Sequence, residues 1–240
     1  MKKILTFLVL FALSAGAQAY EDNLDGLLKS YVKTVTKSGT QYNGVNYAAW
    51  GKDPRHAKVR DEILNTNANT LKSKNDKLAY WINAYNVLTI DLITKKNETK
   101  SIKNLGSVFK SPWKSHSWKF GGKNITLDTI EHKIIRKLNE PRIHFAINCA
   151  AKSCPDLRRE AYRSGKLNAQ LQHQVNLTFN NATKGFKKSG GNAVQVTKIM
   201  DWFKKDFGNL NQWLQKHKKG VVNNDTKISF IKYDWSLNSI

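Results

Sequence analysis

The sequence contains few of the residues and spacings that define the best-known kinds of site. Of its 240 residues, only two are cysteines and only four are prolines. No CxxC or HExxH spacing is present, so a zinc site is weakly supported. The GxSxG, P-loop and Rossmann glycine patterns are missing too, which argues against those hydrolases, nucleotidases and dinucleotide-binding enzymes. We therefore expect no metal and no cofactor.

Acidic residues are also scarce, with 18 Asp and Glu against 40 Lys and Arg and a formal net charge of +22. Only seven of the basic residues are arginines, whereas nucleic-acid sites favour arginine for its bidentate contacts. The lysines are scattered along the chain, as is typical of a solvated surface. We expect no nucleic-acid partner, and at most a weak association with anionic envelope polymers or lipid surfaces.

Long apolar runs are absent after the N-terminus. An apolar stretch at residues 4–13 follows two lysines and precedes an Ala-Gln-Ala pattern at residues 17–19, an order typical of a cleaved signal peptide. The stretch is too short to span a bilayer comfortably. We predict a signal peptide at residues 1–19 and no transmembrane segment. The mature chain would then start near Tyr20, in the bacterial periplasm or outside the cell.

The remaining segment, 20–240, is long enough for one well-cored domain. No linker-like, low-complexity or repeated segment interrupts it. Apolar residues at helical spacing dominate, while alternating, strand-like segments are short and widely separated. This pattern predicts a single α+β domain, rich in helices, around a small and mainly antiparallel sheet.

A few segments give the clearest element predictions. Residues 77–96 are apolar nearly all round, which predicts a buried central helix. Apolar spacing predicts further helices at residues 24–35 and 128–138, and a small hairpin across two glycines at residues 118–127. Residues 142–148 alternate apolar and polar side chains and are predicted to form the clearest strand.

Both cysteines lie just after that predicted strand. If a helix starts at Ala150, its peptide N–H groups would lower the pKa of the Cys149 thiol and form an oxyanion hole. A thiolate nucleophile needs a base, usually a histidine, and His144 is close in sequence. Strict alternation along the strand places those two residues on opposite faces. A Cys149–Cys154 disulfide would close only a short turn, so a structural bridge and a free thiol remain equal alternatives.

Polar side chains on the predicted helices accompany this thiol. Glu131 falls inside the apolar arc of its helix, where burial raises a carboxyl pKa, although it also fits a capping box with Asp128. His132 lies at the edge of that arc. Asn83 and Asn86 share one side of the buried helix, and we expect them to brace neighbouring loops rather than to bind a ligand.

Several segments together resemble the domain of unknown function 547 family of bacteria and plants. They read YWINAYNVLTI (80–90), TLDTIEHKIIR (126–136), PRIHFAINCAAKSCPDL (141–157) and YDWSLN (233–238). The resemblance covers the chain from about residue 70 to its end. The family has no settled activity.

The resemblance also implies which polar residues matter. The characteristic polar positions of the family fall on Asn83, Asn86, Glu131, His132, His144, Cys149 and Cys154. Plant members keep the first cysteine and have a serine near the second, which implies that Cys149 is the functional thiol and that a disulfide is not mandatory. The arrangement is loosely similar to papain-like and transglutaminase-like thiol enzymes, although those carry their cysteine at the start of the central helix.

These observations leave two functions open, besides a redox role for the thiols. The first is an exported thiol hydrolase or acyl transferase that acts on a peptide or acyl-type substrate. Its residues would be Cys149 as nucleophile, His144 or His132 as base, Glu131 to orient the base, and Asn83 or Asn86 to support it. The second is a non-catalytic binding or scaffold domain with a buried polar network and a Cys149–Cys154 disulfide. A histidine nitrogen within hydrogen-bond reach of Cys149, in an open cleft, would favour the enzyme.

Overall fold

The computed structural model describes residues 20–240, so the predicted signal peptide lies outside the described residues. Residues 20–31 are helical (α1), and a hairpin of β1 (Val32–Lys37) and β2 (Thr40–Val45) follows. The predicted helix at 24–35 is therefore wrong at its C-terminal end. The β-branched residues of β1 pair with β2 instead.

Two further helices lead to the centre of the fold. The short helix α2 (Tyr47–Trp50) is followed by α3 (Pro54–Asn65), which starts with a proline in its first turn. The side chain of Asp53 accepts a hydrogen bond from the Arg55 N–H and so caps α3.

The longest helix, α4 (Lys74–Lys95), is the centre of the core, as predicted. A capping box between Ser73 and Asp76 fixes its start. Every residue from Leu78 to Ile93 is buried, which explains why apolar side chains surround the helix.

The C-terminal half of α4 carries a fully buried carboxylate, Asp91. It accepts hydrogen bonds from Trp118 Nε1 (2.7 Å) and Arg60 Nη1 (3.2 Å), and contacts Lys95 Nζ (2.9 Å) and His56 Nε2 (3.2 Å). These donors hold the pKa of Asp91 well below its usual range, against the effect of burial.

The predicted hairpin is present as β3 (Ser117–Phe120) and β4 (Lys123–Thr126), after the short helix α5 (Pro112–Ser115). Helix α6 (Leu127–Thr129) follows, widens to a π-helical segment (Ile130–Ile135) and then narrows to a 3₁₀ turn (Arg136–Leu138).

The predicted capping box between Asp128 and Glu131 is wrong. The side chain of Thr126 caps α6 instead, by accepting a hydrogen bond from the Thr129 N–H. Glu131 is consequently free of any capping role and is directed into the interior.

The predicted strand at 142–148 is also wrong, because Pro141–Phe145 forms a 3₁₀ turn. Proline occupies the first position of this turn, and the Glu140 side chain caps it by accepting from the Arg142 N–H. The alternation was misleading because every residue from Ile143 to Asn148 is buried, so it does not separate an inner face from an outer one.

The remaining elements form the C-terminal third of the chain. They are a 3₁₀ turn (Ser164–Lys166), α7 (Leu167–Phe179), β5 (Phe186–Lys188), β6 (Ala193–Val196), α8 (Ile199–Trp202), α9 (Lys204–Phe207), α10 (Leu210–His217) and β7 (Lys227–Phe230). Two more 3₁₀ turns, Ala68–Thr70 and Ile102–Leu105, flank α4.

The strands form three small sheets within residues 20–240: β1-β2, β3-β4 and β5-β6-β7. Only the β6-β7 pair is parallel. The helix-rich α+β class with mainly antiparallel pairing is confirmed, although the strands do not share one sheet. No helix in this part of the chain is long and apolar enough to cross a membrane.

The buried apolar side chains form two clusters, and residues 141–147 contribute to both. Ile143 and Ile147 belong to the larger cluster around α4. Phe145 belongs to the smaller one, where it packs against Phe179 and Trp213. The segment that leads into the first cysteine is therefore fixed from both sides.

Candidate functional site

A cavity of about 320 Å³ opens between α4, the π-helical segment, the turn that holds both cysteines, and the C-terminal segment. Five of the seven residues predicted from the sequence line it: Glu131, His132, His144, Cys149 and Cys154. They come from separate parts of the chain, so the fold brings the predicted residues together.

The other two, Asn83 and Asn86, do not line this cavity and instead brace loops, as expected. Asn83 donates to the Tyr162 carbonyl and accepts from the Tyr162 N–H, both at 2.8 Å. Asn86 donates to the Ala146 carbonyl (3.0 Å) and accepts from the Asn148 N–H (2.8 Å). Asn86 thereby fixes the backbone just before Cys149.

The two cysteines lie side by side as free thiols, with 3.0 Å between their Sγ atoms. The Cys149 N–H also donates to Cys154 Sγ at 3.0 Å. Cys149 is half-buried and Cys154 is buried. Between them, Ala150 has φ of 60°, a left-handed conformation that is costly for a residue with a Cβ. Such strain often occurs at functional sites.

The C-terminal segment 233–238 holds this turn in place. The Lys152 N–H donates to the Ser236 carbonyl at 2.9 Å, and the Asn238 N–H donates to the Ala150 carbonyl at 3.0 Å. These contacts bring the Tyr233 hydroxyl to 3.1 Å from Cys149 Sγ.

The surroundings of Cys149 favour its thiolate. The hydrogen bond with Cys154 lowers the pKa of Cys149 most, and the Tyr233 hydroxyl and the Ala151 N–H lower it further, although burial opposes them. Burial raises the pKa of Cys154 well above its ordinary value. The predicted helix start at Ala150 is wrong, because residues 150–153 form a turn. The donors are therefore side chains and one turn amide rather than a helix terminus.

Glu131 lies deep in the same cavity and is almost without partners. Tyr85 donates its hydroxyl hydrogen to Glu131 Oε2 at 3.2 Å, and Trp113 Nε1 donates to the Tyr85 oxygen at 3.0 Å. Burial raises the pKa of Glu131 to about 7. This environment confirms the expectation that burial in the apolar arc of its helix raises the pKa of Glu131.

His144 is buried and held in one orientation. Its Nε2 lies 2.8 Å from Asp206 Oδ2, and its ring stacks on Phe203 with 3.9 Å between centroids. Arg136 forms a bidentate pair with Asp206 and lowers the pKa of that carboxyl to about 2. Because Asp206 is ionised, we assign the ring hydrogen to Nε2.

The second ring nitrogen of His144 is therefore an unprotonated acceptor. Among the described residues, Nδ1 has no hydrogen-bond partner, although it is buried. Burial also lowers the pKa of His144 to about 4, so the ring is neutral at physiological pH.

His132 has a different environment. Its Nδ1 lies 2.9 Å from Arg136 Nη1, and its Nε2 lies 3.7 Å from Asp128 Oδ1. Within residues 20–240, the side-chain partners of Cys149 Sγ are Cys154 and Tyr233, and neither histidine is among them. The structure thus provides the cleft but not a direct contact between a histidine and the thiol.

Aromatic side chains form one wall of the cavity. Trp202 and Trp235 stack with 5.5 Å between ring centroids, and Tyr233 and Trp113 pack against this pair. Trp202 is 45% exposed, so the wall is accessible to a ligand. Aromatic walls of this kind suit apolar or planar groups.

Sequence reasoning missed several residues of this site. Tyr85, Tyr233 and Trp235 lie inside the family-like segments, so that signal was available for them. Asp206 lies outside those segments, and no pattern in the neighbouring sequence indicates a functional residue at this position. The zinc-competent side chains are not gathered as metal ligands: no group of three or more His, Cys, Asp or Glu in the described part of the chain could hold a metal ion.

The fold and this cavity define a helix-rich α+β protein with a thiol-bearing site. Residues 68–177 match the model of a family described as "Protein of unknown function, DUF547". The match covers just under half of the chain, which is similar to this family over the segment that contains the central helix and the cysteine turn. No curated protein and no solved structure matches the chain.

Proposed function

We propose that the protein is a thiol-dependent hydrolase or acyl transferase with Cys149 as its nucleophile. The observation that supports this most directly is the state of His144, which lines the same cavity as Cys149. Asp206 holds one ring nitrogen, and the other is buried and unpartnered among the described residues. An oriented imidazole with a free lone pair is what a general base requires.

The roles differ from those expected from the sequence. Asp206, rather than Glu131, orients His144. Glu131 has a pKa of about 7 and is half protonated near neutral pH, which suits a group that donates a proton to a leaving group. His132 contacts Arg136 and supports the ion pair that holds Asp206.

The reaction then follows the usual course of thiol acyl transfer. Cys149 Sγ attacks the carbonyl carbon of the substrate, and its proton passes through one bridging water to His144 Nδ1, because the two groups are not in direct contact. The tetrahedral intermediate collapses, the leaving group takes a proton from Glu131, and a thioester remains on Cys149. Water or another nucleophile releases the acyl group and regenerates the thiol. The aromatic wall would hold the acyl or peptide side chain.

An activated ester tests this proposal without knowledge of the substrate. After incubation with p-nitrophenyl acetate, intact-mass analysis should show one acetyl group on Cys149. Cys149→Ser should lose this modification, and the matched Cys154→Ser variant should retain it. His144→Gln should slow acetylation at least tenfold. Acetylation that is equally fast in Cys149→Ser would contradict the proposal.

A binding or scaffold domain is the second candidate. It is favoured by the adjacent thiols, which are placed for a disulfide, and by the lack of contact between Cys149 and the histidines. Intact mass without reductant decides the redox state, because a disulfide lowers the mass by two hydrogens. If reduced native protein does not react with iodoacetamide at about pH 6.5, but unfolded protein does, the second candidate gains support.

We also propose that the protein is exported to the periplasm or beyond. The support is the order of basic, apolar and small residues in the first 19 positions. Mature protein recovered from the envelope should begin at or near Tyr20 by intact mass. Recovery of the full-length form from the cytoplasm would contradict export.

A further inference from the structure

Two large apolar side chains protrude from the loop before α5. Val108 is 95% exposed and Phe109 is 93% exposed, far more than any other large apolar residue among those described. They occupy the middle of a tight turn, in which the Ser107 N–H donates to the Lys110 carbonyl at 2.8 Å. The Lys110 N–H donates to Ser107 Oγ at 3.1 Å.

Neither turn chemistry nor core packing explains these residues. The middle positions of turns favour Gly, Pro, Asn, Asp and Ser, because those residues adopt turn conformations or hydrogen-bond their own backbone. Val108 and Phe109 are not among these residue types, and they bury almost no surface. An apolar tip this exposed is typical of a surface that contacts a partner.

The surroundings of the tip carry charge of only one sign. Residues 100–123 contain no Asp or Glu and six exposed lysines: Lys100, Lys103, Lys110, Lys114, Lys119 and Lys123. Within the described residues, Lys114 is the only one of them whose ammonium group lies within 4 Å of a carboxylate, with Asp128 at 3.8 Å. The uncompensated charge therefore creates a positive field around the apolar tip.

We propose that residues 107–110 form a lipid-docking loop for an anionic membrane surface. Val108 and Phe109 enter the boundary between headgroups and acyl chains, and the lysines contact the headgroups. Both parts of the loop match the composition of surfaces that bind at this interface. A soluble polyanion would use the lysines but would gain nothing from the exposed apolar pair. The proposal does not depend on the proposed thiol chemistry.

The position of the loop gives the docking a consequence for the cavity. The chain passes directly from the loop into residues 111–114, of which Ser111, Trp113 and Lys114 line the cavity. Docking through the loop would thus bring one rim of the cavity next to the lipid surface.

Vesicle flotation tests this proposal. The protein is recovered from the envelope fraction, and its N-terminus is verified by intact mass, because a retained apolar leader would itself bind lipid. It should float with vesicles of phosphatidylcholine and phosphatidylglycerol at physiological ionic strength, and not with phosphatidylcholine alone. Phe109→Ser should weaken binding about tenfold or more. The control Leu177→Ser, on the partly exposed side of α7, should not.

Charge variants complete the test. Replacing Lys103 and Lys110 with Gln should weaken binding about fivefold for each lysine. The matched pair Lys187→Gln and Lys188→Gln, both exposed on β5, removes the same charge and should have a smaller effect. Binding that is insensitive to Phe109→Ser, or equally reduced by both lysine pairs, would overturn the proposal. Equally tight binding of polyphosphate, without any dependence on Phe109, would assign the site to a soluble polyanion.

Discussion

Two buried carboxyl groups lie at the helix α4, Asp91 on its C-terminal half and Glu131 against its middle, and their environments differ. Asp91 has a full set of cationic and N–H partners: His56, Arg60, Lys95 and Trp118. Glu131 has one hydroxyl partner, Tyr85. The pKa of Asp91 lies well below its usual range, whereas the pKa of Glu131 is raised to about 7.

The difference shows that burial alone does not determine what a carboxyl group does. Both groups pay the desolvation cost that burial imposes on charge. At Asp91 the partners outweigh this cost, so the group is permanently ionised and holds α3, α4 and β3 together. At Glu131 the single hydroxyl partner does not outweigh this cost, so the carboxyl group exchanges a proton near neutral pH. Asp91 is therefore structural, while Glu131 is suited to proton transfer.

The largest effect is expected at Asp91. Asp91→Asn removes the charge that compensates Arg60 and Lys95, and should lower the free energy of unfolding by about 3–5 kcal/mol. Denaturant melts measure this loss. The matched control is Asp61→Asn, which removes an exposed partner of the same Arg60 and should change stability by about 0.5 kcal/mol or less. A comparable loss in both variants would show that Asp91 is no more structural than a surface carboxylate.

The next effect is a dependence on pH at Glu131. Its folded-state pKa of about 7 lies above the unfolded value of 4.5, so the stability gained from the bound proton is complete below pH 4.5. That stability is lost as the pH rises through 7. Relative to Glu131→Gln, the wild type should lose about 2 kcal/mol of unfolding free energy between about pH 5 and pH 8.

The comparison with Asp91 supplies the control for this measurement. The pKa of Asp91 lies far below this range, so Asp91→Asn should change the stability without changing its slope with pH. Parallel pH profiles for the wild type and Glu131→Gln would mean that Glu131 titrates outside the range.

The smallest effect concerns the one partner of Glu131. Tyr85→Phe removes a hydrogen bond to the carboxylate and should cost about 1 kcal/mol, with the greater loss above pH 7, where Glu131 is ionised. Tyr80→Phe, on the same helix, removes a hydrogen bond to the Ile63 carbonyl and should cost a similar amount at every pH. Denaturant melts of Tyr85→Phe and Tyr80→Phe, run below and above pH 7, show whether each loss of stability depends on pH. If the Tyr85→Phe loss is independent of pH, the hydroxyl does not stabilise the ionised form.

Local signals were sufficient for some elements and not for others. The helix α4 and the β3-β4 hairpin were predicted because apolar periodicity and two turn glycines specify them within a short window. Residues 142–148 were misassigned because a segment buried on all sides has no periodicity that reports its conformation. The hairpin at 32–45 was missed because its first strand continues the apolar spacing of α1 without a break signal.

The site was predictable where residue types, local spacing or the family-like segments marked it. Glu131, His144 and Cys149 were found from their types, neighbours and family-like segments. Asp206 contacts His144 across 62 positions of sequence, and no local pattern reports such a contact. The donors around Cys149 were likewise assigned to a helix start that does not form. One of the actual donors, Tyr233, is 84 positions away.

That separation has a consequence for how the protein is made. Contacts between distant positions carry a large loop-closure entropy and generally form after local helices and hairpins. The turn that holds both cysteines is completed by segment 233–238. A nascent chain therefore exposes two unshielded thiols until residues 233–238 have been synthesised. During this interval its vulnerability to oxidation is greatest, and rapid late folding would limit the damage.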